Sequence, residues 1–342
     1  MRSSWRVWLG FAVSLVFIYF ALRGQDFDLI LQSLRGASYI WLLPALVAYF
    51  AGVGLRSLRW AYLLRPIQHI DARRLFPVVA IGYMGNNVLP LRAGEVVRSY
   101  ALSARFRIRK TGALATIAVE RIFDGLTMVL FMLVASLSIA LTTDLRNLFL
   151  IATGLFVVLS AILIVMVFAP GIRLRLVALA VGILPARFGE RIERMANSFI
   201  QGLGILRRRR DLIVVACASV LAWTLEASMY YFIAVGFNLD LSPSAILMVT
   251  AVANLATLIP SSPGYVGPFE AGVMLVLVGA LGIQRETALS YAVVVHAALY
   301  FPITLVGFFY WWRESLSWSE IRQAEEQDEQ HAPPRGLSRA PD

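Results

Sequence analysis

The chain has 342 residues, of which 59% are hydrophobic and 15% charged, and its formal net charge is +10. This composition is too apolar for an ordinary soluble domain and indicates an integral membrane protein. The basic residues lie between hydrophobic runs, which favours a role in membrane topology over nucleic-acid binding. The single cysteine, Cys217, excludes an intramolecular disulfide, and three scattered histidines lack metal-ligand spacing, so no metal or other cofactor is expected.

Hydrophobic runs long enough to cross a bilayer lie at about residues 5–23, 39–60, 112–141, 148–169, 212–236 and 287–312. Two further apolar runs are interrupted by prolines, 75–103 at Pro90 and 244–281 between Pro260 and Pro268. A broken helix at bilayer depth is tolerated only where it is buried in protein or lines a cavity. We therefore predict an all-α polytopic membrane protein with six full transmembrane helices and two re-entrant or broken helical hairpins.

Arginine placement predicts the orientation of these elements, because cytoplasmic loops are rich in basic residues. Basic residues flank the first hairpin at 56–74 and at 105–110, and they also fill the segment 170–211. From residue 211 to residue 284 there is no Lys or Arg. The first hairpin is therefore expected to open from the cytoplasmic side, and the second from the outer side.

Hairpins of opposite orientation are typical of transporters built from inverted repeats. A shift of 170 residues carries Pro90 onto Pro260, and a shift of 175 residues carries Glu95 onto Glu270. These matches between the two hairpins agree with the opposite orientations that the charge distribution predicts for them. The sequence therefore predicts two inverted halves, with a binding site where their broken helices meet.

The predicted organisation is a single transmembrane domain over residues 1–313. Its first half covers about 39–169 and its second half about 212–312, with a cytoplasmic amphipathic segment at 170–211 between them. The polar, acidic tail at 314–342 is expected to be disordered. Both chain termini are expected to lie in the cytoplasm.

Eight charged residues lie well inside the apolar runs, away from their ends, where each costs about 2.5 to 3.5 kcal/mol unless it is paired or faces a wet cavity. Arg92, Glu95 and Arg98 are three residues apart, so on a helix the carboxylate lies between two guanidiniums. Glu120 and Asp124 are four apart and share a face. The complete set is Arg92, Glu95, Arg98, Glu120, Arg121, Asp124, Glu226 and Glu270.

These charges have two interpretations. They either neutralise one another and fix the hairpin to the next helix, or their arginines bind an anionic head group, since the guanidinium fork suits phosphate. Asn86 and Asn87 are expected to cap backbone groups freed at the break rather than contact a ligand. Gly264 and Gly267 permit tight turns and close backbone approach, which serves either a hairpin tip or a phosphate.

Two further residues are candidates for proton chemistry. Glu226 is a lone carboxyl in an apolar span, so we expect it to be the proton carrier. His296 lies about one helical turn from Tyr300 in an apolar span and is interpreted as a satisfied core histidine, with a site role as the alternative.

The chain resembles the lysylphosphatidylglycerol synthase transmembrane region, a flippase-like or YbhN-type family. The resemblance covers most of residues 5–312. At the tip of the second hairpin, Tyr265 stands where the family commonly has a second glycine. The matching motifs are Asn86-Asn87-Val-Leu-Pro90-Leu-Arg92-Ala-Gly94-Glu95, then Arg98 and Tyr100, Glu120-Arg121-x-x-Asp124, and Pro260-x-x-Pro263-Gly264-x-x-Gly267-x-x-Glu270.

The resemblance implies a lipid-translocating protein of the bacterial inner membrane. Its cargo would be a phospholipid, or a polyprenyl-linked or glycolipid, with an anionic head group. Lys110-Thr111 lacks the preceding glycines of an ATP-binding loop, so transport is not expected to use ATP. The expected substrate-binding residues are Asn86, Asn87, Arg92, Glu95, Arg98, Glu120, Arg121, Asp124, Gly264, Gly267 and Glu270.

The expected partners are membrane lipids and lipid-synthesis enzymes, and not nucleic acid. We expect no enzyme activity, because the soluble aminoacyl-transfer domain of the synthases is not expected in this chain. Two alternatives stay open. One is a membrane-embedded transferase acting on a lipid phosphate, and the other is a non-transporting partner of a lipid-synthesis complex.

Overall fold

A computed structural model describes residues 12–17, 19, 23–89, 93–169, 171 and 189–313, with residues 189–194 and 196 as backbone only. In this part of the chain the structure is helical and contains no strand, which confirms the all-α class. The named helices are α1 Phe27–Gly36, α2 Leu42–Leu64, α3 Ala72–Val88, α4 Gly94–Phe106, α5 Lys110–Ser136, α6 Thr143–Phe168, α7 Gly189–Gly202, α8 Arg209–Gly236, α9 Pro243–Ala256, α10 Pro268–Leu277 and α11 Arg285–Arg313.

Polar side chains and a proline mark several helix starts. Asp26 accepts hydrogen bonds from the Asp28 and Leu29 amides before α1, and Thr142 accepts one from the Leu145 amide before α6. At α9, Ser242 accepts a hydrogen bond from Ala245, and Pro243 occupies the first helical position. These caps satisfy amides that have no partner within the helix.

Four helices within the described residues are long and apolar enough to cross a membrane, namely Tyr39–Leu64, Thr143–Phe168, Arg209–Gly236 and Arg285–Arg313. They coincide with four of the six predicted spans. A further predicted span, 112–141, corresponds to α5, which is 27 residues long but carries several charged residues. The predicted span at 5–23 lies mostly outside the described residues.

The helices differ in how much apolar surface they bury. In α8, 44% of the apolar window is buried inside the protein, whereas in α6 the figure is 11%. The outward-facing residues of α6 include Leu150, Ile151 and Val157. Helix α8 therefore belongs to the core with α2, whereas α6 presents apolar side chains to the surroundings, as suits contact with lipid tails.

Two helical hairpins occupy the predicted interruptions. Helices α3 and α4 pack on each other, and a Cβ atom added at Gly94 would lie 2.1 Å from the Gly82 carbonyl oxygen. Helices α9 and α10 also pack on each other, joined through the turn Pro263–Tyr265. The first hairpin thus needs glycine at position 94, because the two backbones touch there.

Helix α7 and the short turn Leu203–Arg207 form the described part of the predicted amphipathic segment. The helix packs against α5, where Arg109 donates a 3.2 Å hydrogen bond to Ser198. A Cβ atom at Gly202 would lie 2.4 Å from the Gly112 carbonyl oxygen. The end of this segment is therefore docked on protein, while residues 172–188 lie outside the described part.

One element of the charge interpretation is wrong. Arg56 and Arg59 fall within the predicted basic flank at 56–74, but they lie inside α2 and are 2% and 0% exposed. The helix continues to Leu64, so these arginines are core residues held by buried carboxylates rather than loop residues. Arg73 and Arg74, which are exposed, still support a basic flank before the first hairpin.

Candidate functional site

A partly open cavity of about 120 Å³ lies between helices of the two predicted halves. From the first half it is lined by Tyr49, Arg56, Tyr83, Asn86, Asn87 and Arg121, and from the second by Trp223, Glu226, Asn254, Thr257, Tyr265, Phe269, His296, Leu299, Tyr300 and Ile303. This volume is several times the roughly 10 to 15 Å³ that one ordered water needs. The cavity can therefore hold a small polar group.

One wall of the cavity is an ion pair between α2 and α8. Arg56 Nη2 donates to Glu226 Oε2 at 2.6 Å, and the Arg56 guanidinium lies 4.5 Å from the Trp223 ring. Asn254 Nδ2 approaches the other Glu226 oxygen at 3.4 Å. Among the described residues the buried Arg56 Nε has no hydrogen-bond partner. The pair is thus held firmly, and one donor of the Arg56 guanidinium stays unpaired.

Behind this wall, the Glu120 carboxylate contacts several arginines. Arg98 donates to its two oxygens at 2.8 and 3.1 Å, and Arg121 donates at 2.7 Å. Arg59 lies 3.3 Å from the same carboxylate. The Arg98 guanidinium also stacks 3.7 Å from the Trp60 ring. Glu120 is therefore fully buried and accepts several charge-assisted hydrogen bonds.

Asp124, one turn further along α5, is a second carboxylate that accepts hydrogen bonds from several side chains. It accepts from Arg59 Nη1 at 2.5 Å and from Trp223 Nε1 at 2.8 Å. Arg121 lies 3.2 Å from Asp124 and 3.5 Å from Glu95, which links α5 to α4. Together with the Arg56 pair, this network joins four guanidiniums to four carboxylates in the described part of the chain.

The pairing differs from that predicted by spacing. Arg98 bonds Glu120 on α5 rather than Glu95 on its own helix, and Glu95 approaches Arg121 instead. The bond between Arg98 and Glu120 pairs two buried charges on different helices. A bond between Arg98 and Glu95, along the face of one helix, would leave Glu120 without this partner. Arg92, the third member of the predicted row, lies outside the described residues.

A second constellation lies in the opposite wall. His296 Nδ1 lies 2.5 Å from Glu270 Oε1, and His296 Nε2 lies 2.7 Å from the Gly264 carbonyl oxygen. Glu270 Oε2 accepts a 2.7 Å hydrogen bond from the Gly267 amide at the start of α10. His296 therefore has partners on both nitrogens, as expected of a satisfied histidine, but it lies in the cavity wall rather than in the core.

The side chains of Asn86 and Asn87 differ in their hydrogen bonds. Asn87 Nδ2 donates to the Tyr300 carbonyl oxygen at 3.2 Å and to Thr304 Oγ1 at 2.8 Å. Its Nδ2 therefore ties α3 to α11, and capping of the break stays a prediction, because residues 90–92 lie outside the described residues. Asn86 lines the cavity, and its buried Oδ1 has no hydrogen-bond partner among the described residues.

The tip of the second hairpin is strained. Gly264 has φ +76°, and the next residue, Tyr265, has φ +61°. The left-handed region costs a non-glycine residue roughly 1 to 2 kcal/mol. Tyr265 thus keeps a conformation suited to glycine, and its side chain joins the cavity lining.

Four of the predicted site residues line the cavity, namely Asn86, Asn87, Arg121 and Glu226. The network places Glu95, Arg98, Glu120 and Asp124 behind them, and Gly264, Gly267 and Glu270 support His296. Sequence reasoning did not place Arg56, Arg59, Trp223 and Asn254 in the site. The available signal was the apolar run Trp60–Leu64, which continues the span beyond both arginines.

In the described part of the chain, no group of three or more His, Cys, Asp or Glu side chains is arranged to hold a metal ion. What the site offers instead is paired guanidiniums, carboxylates, amides and aromatic rings around a small cavity. Such a set suits recognition of a charged polar group.

Known proteins similar to this chain are mostly membrane proteins named only by family. A UPF0104 membrane protein of Methanothermobacter thermautotrophicus is 27% identical over 81% of this chain and 86% of its own length. UPF0104 membrane protein MJ1078 of Methanocaldococcus jannaschii is 24% identical over 65% of this chain and 90% of its own length.

A relative with a more specific name is the glycosyltransferase AglD of Haloferax volcanii, 29% identical over 77% of this chain but only 48% of its own length. No solved structure was found to match. The family model of the lysylphosphatidylglycerol synthase TM region matches residues 7–307. The chain is therefore an integral membrane protein and belongs to the family of the lysylphosphatidylglycerol synthase transmembrane region.

Proposed function

We propose that the protein is a lipid transporter that moves a phospholipid, polyprenyl lipid or glycolipid with an anionic head group across the bacterial inner membrane. The observation that carries this proposal is the cavity between the two halves, with buried Arg56 and half-buried Arg121 in its wall. Guanidinium groups bind phosphate through paired hydrogen bonds. Such groups at bilayer depth are typical of a substrate pathway.

The proposed architecture has six membrane spans and two inverted hairpins. A shift of 170 residues carries Arg56 onto Glu226, the residue it bonds, and places α2 within α8. A shift of 175 residues carries Arg121 onto His296 and Glu95 onto Glu270, which are the two pairs that link the hairpins to α5 and α11. Equivalent pairs at equivalent positions support an inverted repeat.

In this arrangement the head group enters the cavity while the acyl or prenyl tails stay in the membrane. Both termini and the segment 170–211 are placed on the cytoplasmic side. Rocking of one half against the other would expose the cavity to each side in turn. The energy would come from an ion gradient or from the gradient of the lipid itself, rather than from ATP.

Filling the cavity tests this function without removing a charge. Leu299 lines the cavity, and Leu305 on the same helix is 67% exposed. In proteoliposomes containing fluorescent phosphatidylglycerol or polyprenyl phosphate, head-group accessibility should show protein-dependent flipping. We expect Leu299→Trp to reduce the rate of flipping at least about tenfold. A tenfold decrease requires that the activation free energy rise by only about 1.4 kcal/mol. Leu305→Trp should keep the wild-type rate.

Wild-type protein that flips no tested lipid, or equal rates in the two tryptophan variants, would contradict transport through this cavity. The alternative is a membrane-embedded transferase, which the name of the Haloferax relative favours. It predicts a modified lipid product when protein, lipid and an activated sugar are incubated together. Thin-layer chromatography of the same proteoliposomes distinguishes the two.

A further inference from the structure

We propose that His296 and Glu270 together bind one exchangeable proton, and that this is the coupling proton of the transporter. The assignment of a coupling role rests on the proposed transport function. The pair joins α11 to α10 and touches the turn Pro263–Tyr265 through the Gly264 carbonyl oxygen. The pair is therefore placed where a proton can control contact between the second hairpin and α11.

The hydrogen-bond partners determine how many protons the pair holds. The Gly264 carbonyl can only accept, so His296 Nε2, 2.7 Å away, must carry a proton. Glu270 Oε2 accepts from the Gly267 amide, and Oε1 lies 2.5 Å from His296 Nδ1. A second proton must lie between those last two atoms. The pair is then neutral overall, whether the second proton belongs to nitrogen or oxygen.

Removing that second proton breaks one of the two contacts. If Nε2 keeps its proton, an imidazole lone pair faces the Glu270 carboxylate. If the proton moves to Nδ1, a lone pair faces the Gly264 carbonyl. The hydrogen bond to the charged carboxylate is the stronger one, so the Gly264 contact is lost. Deprotonation therefore removes the hydrogen bond between the turn Pro263–Tyr265 and His296 on α11, which should loosen the turn.

The first half shows why this pair is the switchable one. At the equivalent position Glu95 faces Arg121 at 3.5 Å, and arginine does not deprotonate in proteins. Glu226 is bonded to Arg56, which is likewise permanently charged. An imidazole, in contrast, can be either neutral or positively charged. The structure thus holds one fixed and one titratable pair in matching places.

Several other ionisable groups face the pair. Beside it lie Tyr265 on the turn and Tyr300 on α11, and the centroid of the tilted Phe269 ring lies 4.6 Å from that of the imidazole. Across the cavity the ionisable groups are Tyr49 and Arg56 on α2, Tyr83 on α3, Arg121 on α5 and Glu226 on α8. The arginines there are paired with carboxylates, so the wall facing the pair is close to neutral.

Proton binding and lipid binding should favour each other. An anionic head group brings negative charge into the cavity, and the deprotonated pair adds another negative charge beside it. The protonated pair is neutral and therefore adds no negative charge. The head group therefore binds better when the pair is protonated, and by reciprocity the lipid strengthens proton binding. Lipid and proton would then move together.

The release of the turn is tested first in purified protein, without any transport assay. A nitroxide is attached at Val266→Cys, next to the turn and 39% exposed, after the native thiol is removed by Cys217→Ala. We expect the label to become more mobile as pH rises. With Glu270→Gln, whose amide preserves both contacts of the imidazole, the label should stay immobile at every pH. With His296→Asn, which reaches only Glu270, it should stay mobile.

The coupling role is tested in proteoliposomes with and without an imposed pH gradient. We expect the gradient to change wild-type flipping several-fold, and Glu270→Gln to flip at one rate under both conditions. Glu286→Gln in the first turn of α11, outside the cavity lining, should keep the wild-type ratio of the two rates.

The outcomes separate the two proposals. Absence of flipping in the wild-type protein contradicts transport, and the mobility of the label still decides whether the pair is a proton switch. A pH-independent label in wild-type protein overturns the switch. A gradient response that survives in Glu270→Gln overturns the assignment of the coupling proton to this pair.

Discussion

Glu120→Gln is expected to lower the free energy of unfolding by about 3 to 5 kcal/mol, the usual cost of removing one partner from a buried ionic group. Glu120 is fully buried and lies within hydrogen-bonding or ion-pair distance of Arg98, Arg121 and Arg59. A neutral amide would leave those guanidiniums with too few carboxylates. Unfolding in mixed micelles by titration with sodium dodecyl sulfate measures the change.

A matched control for this prediction is Glu286→Gln, the same change in the first turn of α11, outside the network. It should shift the unfolding free energy by less than about 1 kcal/mol, the usual contribution of a charge in the first turn of a helix. Equal stability of the two variants would mean that the Glu120 contacts contribute little and that the network does not hold α4, α5 and α2 together.

The second large effect concerns the ion pair in the cavity wall. Arg56→Met alone leaves Glu226 buried without its 2.6 Å partner, and should destabilise the protein by about 3 to 5 kcal/mol. The double variant Arg56→Met with Glu226→Gln removes both charges and should recover most of that loss, because replacing a whole buried pair is close to neutral. Lipid flipping should nevertheless stay low, since the cavity has lost its buried guanidinium.

The double variant thus separates structure from recognition. If stability and flipping both return, the pair serves only to join α2 to α8. If stability returns and flipping does not, the guanidinium acts on the lipid. Measurements of unfolding and of head-group accessibility on the same preparations are sufficient to decide.

The broken hairpins were predictable from the sequence because proline and glycine act locally. Pro90, together with the glycine at 94, marks the gap between α3 and α4, and Pro263 and Gly264 mark the turn between α9 and α10. The limits of α2 were harder to predict. Arginine usually ends a membrane span, and only the buried carboxylates on other helices make Arg56 and Arg59 part of it.

The pairing of charges could not be predicted from spacing. Arg56 and its partner are 170 residues apart, and Arg59 and Asp124 are 65 apart. Spacing along one helix reports neighbours on that helix, whereas buried charges choose partners by the packing of helices against one another. The role of His296 was hidden for the same reason, because its partners Glu270 and Gly264 lie on the second hairpin.

A lipid head group is expected to occupy the cavity, and photocrosslinking tests this claim without a transport assay. A phosphatidylglycerol with a photoreactive group on its head group is irradiated with the protein in a bilayer, and the adducts are mapped by mass spectrometry. We predict adducts on cavity residues such as Tyr83, Trp223 and Tyr300, lost in Leu299→Trp. Adducts confined to outward-facing residues of α6, such as Leu150 and Val157, would contradict the claim.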